Sequence, residues 1–271
     1  MGFIGAVRPF AHTITNVSGL LAELLIVAAV VGCFVGLHAY LQRYLHSDVL
    51  RRHNDVAGFL FSAVGILYAV VLGFVVVVVW QKYDNAVSNV EAEVDATGDL
   101  YHVVDAYPEP LRSQIRSGIL QYAETVARIE WPAMRRNQEV PETGANIFEG
   151  ITSRITSLAP SGFQQFAAEQ AAIVDDQRVL DARRTRLIGT VPAVPAVLWF
   201  ALCAGALAMV AFCYLFGVEN RPAQLVMTAI LVALIGILFV VIEDFSTPFS
   251  GSVRISADGW AYLQQRLPYI H

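Results

Sequence analysis

Charge is scarce in this 271-residue chain: only 15% of its positions are Asp, Glu, Lys or Arg, against about 25% in a typical soluble domain. Cysteine is scarcer still, with three residues in all, Cys33, Cys203 and Cys213. They form no CxxC and no Cys/His metal spacing, and an odd count leaves at least one unpaired, so the expectation is small apolar packing residues rather than a disulfide or a zinc site. No EF-hand, P-loop or dinucleotide fingerprint occurs. Low-complexity tracts and convincing repeats are absent too. No cofactor is expected.

The missing charges leave long apolar runs. Ala57–Trp80 reads AGFLFSAVGILYAVVLGFVVVVVW, 24 positions without one charged side chain. A helix needs roughly 20 apolar residues to cross a bilayer core, and in lipid every backbone group must be satisfied within the helix. Three more segments pass the same test, near 18–40, 191–217 and 223–242. The first is longer than the roughly 7–15 apolar residues of a signal peptide and reads as a retained helix. These runs predict an all-α membrane protein with four transmembrane helices and a helical soluble domain inserted between spans two and three. The boundaries expected are 1–80 for the N-terminal membrane part, 81–190 for the soluble domain, 191–242 for a membrane hairpin and 243–271 for a tail.

The soluble segment holds the acidity. Between Gln81 and Thr190 there are 16 acids and 11 bases, while the rest of the chain holds 7 of each, so the net −5 belongs here. An acidic water-exposed segment argues against nucleic acid as a partner. After Trp80 the positions Val87, Val90, Val94, Thr97, Tyr101 and Val104 recur at 3-4-3-4-3, a heptad-like seam. Span two should therefore continue as one long helix until Pro108 and Pro110 end it. Helices are expected at Leu111–Glu130, Thr143–Leu158 and Gly162–Ile188, the last capped by Ser161, with Trp131-Pro132 and Pro141 bracketing a turn region. Span four should stop at Glu243-Asp244. In the tail, Ser252–Ser256 alternates like a short strand, and Asp258 could cap a short helix carrying Trp260, Leu263 and Leu267, either interfacial or docked on the soluble bundle.

Four spans place both termini and the large domain on one side. Lys and Arg near span ends on that side are Arg8, Lys82, Arg178, Arg183, Arg184, Arg186 and Arg254, against Arg43, Arg51, Arg52 and Arg221 opposite. That bias favours a cytoplasmic domain and termini. Setting the long loop aside reverses it.

Two features of the spans bear on function. Gly58, Ser62, Gly65, Ala69 and Gly73 fall at 4-3-4-4, one face of span two. Small residues let membrane helices approach closely, so the stripe either packs within the chain or lines a pathway in an oligomer, where a hydrophobic constriction can gate by dewetting. Ionisable residues are few: Glu23, His38, Glu243 and Asp244 all lie within about two turns of a span end, where interface solvation accounts for them. No mid-membrane acid pair of a pump is present, and no nucleophile constellation, so the protein is not expected to be an enzyme. In the soluble segment Glu91, Asp95 and Asp99 share a helix face, which Arg112 and Arg116 could neutralise.

Several motifs occur together in order: NDVAGFLFSAVGILYAVVLGF, Trp80, VEAEVDATGDLY, PEP at Pro108–Pro110, EWPAM at Glu130–Met134 and DFSTPFSGSVRIS. Over nearly the whole chain this resembles a bestrophin-like domain-of-unknown-function family of bacterial membrane proteins. The positions matching it are Asn54, Gly58, Gly65, Tyr68, Trp80, Glu91, Leu100, Tyr101, Trp131, Pro132, Pro248, Phe249 and Gly251. The layout is similar to that of the bestrophins, pentameric anion channels whose second span lines the pore. The resemblance thus implies a homo-oligomeric ion channel, anion-permeable, in a bacterial cytoplasmic membrane, with lipid, further copies of itself and inorganic ions as partners. No acidic calcium clasp is evident. A non-conducting sensor or scaffold, whose helical domain binds a partner, is the alternative the residues leave open.

Overall fold

The computed structural model describes residues 13–44, 53–218 and 220–267; Arg8, Arg51 and Arg52 of the charge comparison lie outside them. The chain divides into two compact units, one of residues 15–82 and 192–246, the other of 1–14, 83–191 and 247–271. The tail thus groups with the soluble segment.

The first unit carries the spans. Helices α1 (Val17–Leu41), α2 (Asn54–Val103), α3 (Leu111–Thr125), α4 (Trp131–Arg135), α5 (Thr143–Ile155), α6 (Phe163–Ile188), α7 (Ala196–Leu215), α8 (Arg221–Ser246) and α9 (Asp258–Arg266) succeed one another along the chain. Of these, α1, α2, α7 and α8 are long and apolar enough to cross a membrane. Their outward faces stay apolar: Phe59 and Phe200 are each 75% exposed. A helix that is apolar all round belongs in lipid or in a large core, and here the exposed rings settle it for lipid. The chain is an all-α membrane protein with four such helices. Inside the unit, Tyr68, Leu72, Val75 and Val79 of α2 pack with Leu202 and Met209 of α7 and Ile235 and Ile242 of α8. Against this core, α1 rests on α8. Cys33 and Cys203 are exposed rather than packed, and Cys213 is half-buried. Outward-facing thiols fit a lipid-facing surface as well as any small apolar group.

Helix α8 runs past Glu243-Asp244 to Ser246 instead of stopping there. Asp244 is buried, and the Ser246 hydroxyl accepts from the Ala193 N–H at 2.9 Å, so the extra turn has polar partners. His38 also departs from the expectation of interface solvation. It is fully buried, with Nδ1 2.9 Å from Thr228 Oγ1 and its ring 4.4 Å from that of Tyr214. Nearby, Gln42 donates to Gln224, which donates in turn to the Phe216 carbonyl at 2.6 Å. Buried polar groups in a membrane unit persist when each finds a partner.

The second unit is a helical bundle. Most of the predicted seam is buried: Val90, Val94 and Thr97 of α2 are at 2% exposure or less and Tyr101 is buried, as is Val104 in the short helical turn that follows, while Val87 is half-buried. Ile115, Ile119 and Tyr122 of α3 meet Phe148 and Ile151 of α5. Gly118 lets that approach happen, since a Cβ there would sit 2.9 Å from Ile151 Cγ1. Helix α9 docks on α3, and its Trp260, fully buried, stands edge-on to Tyr122 at 5.7 Å. The docked reading of the tail helix therefore holds. Asp258 is the first residue of α9 rather than its cap, favourably placed in the first turn for the helix dipole. Ser161 does not cap α6 either: its hydroxyl donates to the Gln165 side chain. A two-stranded pairing joins β1 (Thr13–Thr15) to β2 (Val253–Ile255).

The turn region between Trp131-Pro132 and Pro141 is present but shorter than its bracket, because residues 131–135 are still helical and the irregular stretch starts at Arg136. The chain passes from α3 through a π-helical turn, Val126–Glu130, directly into α4. Pro132 is tolerated because it lies in the first turn of α4, where an N–H would have had little to bond.

Candidate functional site

The π turn delivers Glu130 into the interior of the second unit. There it meets Glu93 from the seam of α2, and Arg183 and Arg186, one turn apart on α6. The Arg186 fork grips Glu93, Nε to Oε2 at 2.6 Å and a terminal nitrogen to Oε1 at 3.0 Å, and also donates to Glu130 Oε2 at 2.8 Å. Arg183 donates to both Glu130 oxygens at 2.7 Å. The Tyr122 hydroxyl donates to Glu93 Oε1 at 2.6 Å. Glu93, Glu130 and Arg186 are fully buried, and Arg183 nearly so. Two carboxylates and two guanidiniums make the cluster neutral, and bidentate charge-assisted pairing offsets much of the cost of taking ions out of water.

Aromatic rings close the cluster. Arg183 lies 5.8 Å from the Tyr122 ring centre and Arg186 lies 5.6 Å from that of Trp131, within cation–π range. Burial on its own would depress the Arg186 pKa, but Glu93, Tyr122 and Glu130 hold it well above its ordinary value. Burial, and then Glu93, push the Tyr122 phenol well up, so it stays protonated as the donor. π-Helical turns gather at functional sites, and this one positions both Glu130 and Trp131.

Trp131 has a second side. Its indole N–H donates to the Ile255 carbonyl at 3.3 Å, and its ring stands edge-on to Phe249 at 5.6 Å. Phe249 is held in the turn where the Gly251 N–H bonds the Thr247 carbonyl and the Ile255 N–H bonds that of Pro248. The motif residues Trp131, Pro132, Pro248, Phe249 and Gly251, more than a hundred positions apart, thus come together. Trp131, Pro132 and Phe249 line a cavity of about 670 Å³.

The remaining sequence candidates lie elsewhere. Asn54 clamps the far end of α7, its amide donating to the Gly217 carbonyl at 2.9 Å and accepting from the Gly217 N–H at 3.0 Å. The Tyr68 hydroxyl donates to the Leu202 carbonyl at 3.0 Å, and its ring occupies the space over Gly205. Trp80 is half exposed, edge-on to Phe245 at 5.2 Å. The Arg116 guanidinium covers the ring of Tyr101 at 4.5 Å. Glu91 is half-buried. Arg112 and Arg116 do not serve the Glu91–Asp95–Asp99 face, because they pair with Glu109 and Asp105 close by in the chain.

The stripe on α2 divides. A Cβ on Gly65 would stand 3.3 Å from Met209 Cε, and one on Gly58 3.8 Å from Phe216, so these two serve packing within the chain. Ser62, Ala69 and Gly73 are exposed. Ser62 turns its hydroxyl back to the Gly58 carbonyl at 2.9 Å, and nothing lies within 4 Å of a Cβ on Gly73.

Glu93, Tyr122, Arg183 and Arg186 were not among the candidates drawn from sequence, although one signal was present. Glu93 falls three after Val90 and four before Thr97, a charge inside an apolar seam, and such a charge requires a buried partner.

Asp176 on α6 supplies a pH test. It is 4% exposed, and the Thr152 hydroxyl donates to it at 2.8 Å. Burial raises its carboxyl above the ordinary 3.8, and the Thr152 bond offsets this in part. A carboxyl that holds its proton more tightly folded than unfolded favours the folded state at low pH, and that favour is lost as pH rises from 3.8 through the raised value. Asp176→Asn keeps an acceptor for Thr152. It is expected to raise the thermal midpoint near pH 7, with the gain vanishing at about pH 3.5, where the wild-type carboxyl is itself protonated.

Four apolar spans and a helical second unit with a buried ion cluster define a multispan helical membrane protein. The chain belongs to the family with a bestrophin-like domain, whose model matches residues 28–259. No functionally curated protein matches it in sequence. Among solved structures it is similar to a bacterial bestrophin homologue from Klebsiella pneumoniae, at 14% identity and TM-score 0.64 over 92% of this chain and 97% of that one. A single-substitution variant of that homologue gives TM-score 0.65 at 14% identity, covering 92% and 99%. Another structure, described as a membrane protein, gives 0.66 at 14%, covering 92% and 97%. At such identity the likeness shows the fold alone.

Proposed function

We propose that the protein is a homo-oligomeric, anion-permeable ion channel in a bacterial cytoplasmic membrane, with the membrane half of α2 lining the pathway and the second unit and termini in the cytoplasm. One observation carries the reading. Packing within the chain uses the α2 face of Tyr68, Leu72, Val75 and Val79, and of the small residues it accounts only for Gly58 and Gly65. Ser62, Ala69 and Gly73, at spacings of seven and four, form a second, unused small-residue face. Copies of α2 meeting across an axis on that face would enclose a narrow apolar neck, the kind that gates by dewetting. Membership of a bestrophin-like family supports the same reading. No enzymatic step enters it.

The test is anion flux from proteoliposomes, together with the stoichiometry of the solubilised protein. Ala69→Leu and Gly73→Leu place bulk on the unused face without touching Met209. Each is expected to change flux by at least about tenfold, equivalent to roughly 1.4 kcal/mol on the barrier. A monomeric or dimeric protein, or wild-type vesicles that pass no ion over varied pH and voltage, would overturn the proposal.

A further inference from the structure

The cavity beside Trp131 has a basic lining. Three arginines line it, Arg135 and Arg136 from the end of α4 and Arg254 from β2, and no carboxylate does. Among the described residues none of the three is held in an ion pair, whereas Arg112, Arg116, Arg128, Arg178, Arg183 and Arg186 all are. What sets these three apart is that they line one space together. Arg254 is half-buried, and its pKa is drawn below the ordinary value by burial and then by the nearby positive charge of Arg135. Both residues line the same cavity, whose wall holds no acidic side chain.

We propose that this cavity binds a phosphate-bearing organic anion, with Arg254 and Arg135 as the phosphate clamp. Converging guanidiniums give forked donors that match a phosphate group. Size argues against a simple halide, since about 670 Å³ lies within the roughly 300–1,000 Å³ of small-molecule pockets. The apolar part of the wall, formed by Ala127, Trp131, Pro132, Phe249 and Ala257, gives an organic moiety a surface to cover. The buried Ser256 hydroxyl adds a polar group to the lining. The site is also wired to the interior, because the ring of Trp131 that walls it has Arg186 near its centre at 5.6 Å. Neither the ligand class nor the clamp depends on conduction.

The chemistry is shared by a soluble phosphomonoester and an anionic lipid headgroup, and the experiment separates them. The full-length protein in neutral detergent is titrated calorimetrically with phenyl phosphate and with inorganic pyrophosphate. In parallel it is placed in phosphatidylcholine nanodiscs with and without phosphatidic acid, and its thermal midpoint is compared. Saturable binding of either soluble probe below about 1 mM is expected. Arg254→Gln and Arg135→Gln should each weaken it by about tenfold or more, and Arg254→Lys by less, because an ammonium keeps the charge without the fork. Arg178→Gln, which removes a charge paired with Asp175, should leave binding unchanged. A midpoint shift from phosphatidic acid alone, abolished by Arg254→Gln, would support the clamp and assign the phosphate to lipid. No saturable binding of any probe, or equal weakening by Arg178→Gln, would overturn the proposal whatever the flux measurements show.

Discussion

Arg186→Ala is expected to lower the unfolding free energy by about 3–5 kcal/mol, the range found when one partner of a buried ion pair is removed. The arginine makes three of the bonds in the cluster, two to Glu93 and one to Glu130. Without it, Glu93 retains only the Tyr122 hydroxyl, and a fully buried carboxylate with one neutral donor is close to an unpaired charge. The stability of the purified protein, followed by helical circular dichroism in urea, measures the loss. Removing both charges should cost far less than removing one. Glu93→Gln combined with Arg186→Met leaves the Glu130–Arg183 pair intact and keeps an acceptor for Tyr122. It is expected to recover more than half of the loss, since a buried pair contributes little net stability relative to well-packed neutral groups. A double variant as unstable as Arg186→Ala would mean that packing, not charge balance, sets the cost.

Gly144→Ala should be nearly as damaging, although it adds a single methyl group. Gly144 stands at the start of α5 directly over Glu130. A Cβ there would overlap Glu130 Oε1 and come within 3.2 Å of Arg183 Nη1. Overpacking a tight site costs about 1–3 kcal/mol, and here the group that must move is a carboxylate with fixed charged partners, so the upper part of that range is expected. Gly162→Ala is the control for added bulk: nothing lies within 4 Å of its Cβ position, so its effect should be limited to the roughly 0.5–1 kcal/mol by which Gly is preferred over Ala at a helix N-cap. Thermal midpoints of the two variants side by side decide the matter.

The helices were legible because their signals are local. Apolar length marks the four spans, and a seam at 3-4 spacing marks the extension of α2, whose seam positions from Val90 to Tyr101 are buried. What sequence did not reveal depends on partners far along the chain. Glu130 stands inside a recognisable EWPAM motif, but its role comes from Arg183, 53 residues later, and from Arg186, 56 residues later. The π turn has no local mark either. Trp131-Pro132 reads as the opening bracket of a turn region, whereas the π turn leads straight into a further helical stretch around it. On α2 the small residues were visible as one stripe, but only the position of Met209 separates Gly65, which packs, from Gly73, which does not. Arg135, Arg136 and Arg254 were unremarkable singly, because two of them sit at the end of one helix and the third lies in a strand more than a hundred residues away.

The separation of Glu93 from Arg186 by 93 residues also sets an order of events in time. At roughly 5–20 residues per second of synthesis, Glu93 leaves the ribosome on the order of ten seconds before its main partner exists. Until then its carboxylate must stay hydrated, so the seam of α2 cannot be sealed early. Arg186 emerges just ahead of the third apolar span, and Phe249 and Arg254 only after the fourth. The inner cluster can therefore close before the last two spans are made, while the arginine-lined cavity is finished only after the fourth span has been made. A chain truncated before residue 248 would own the first and lack the second.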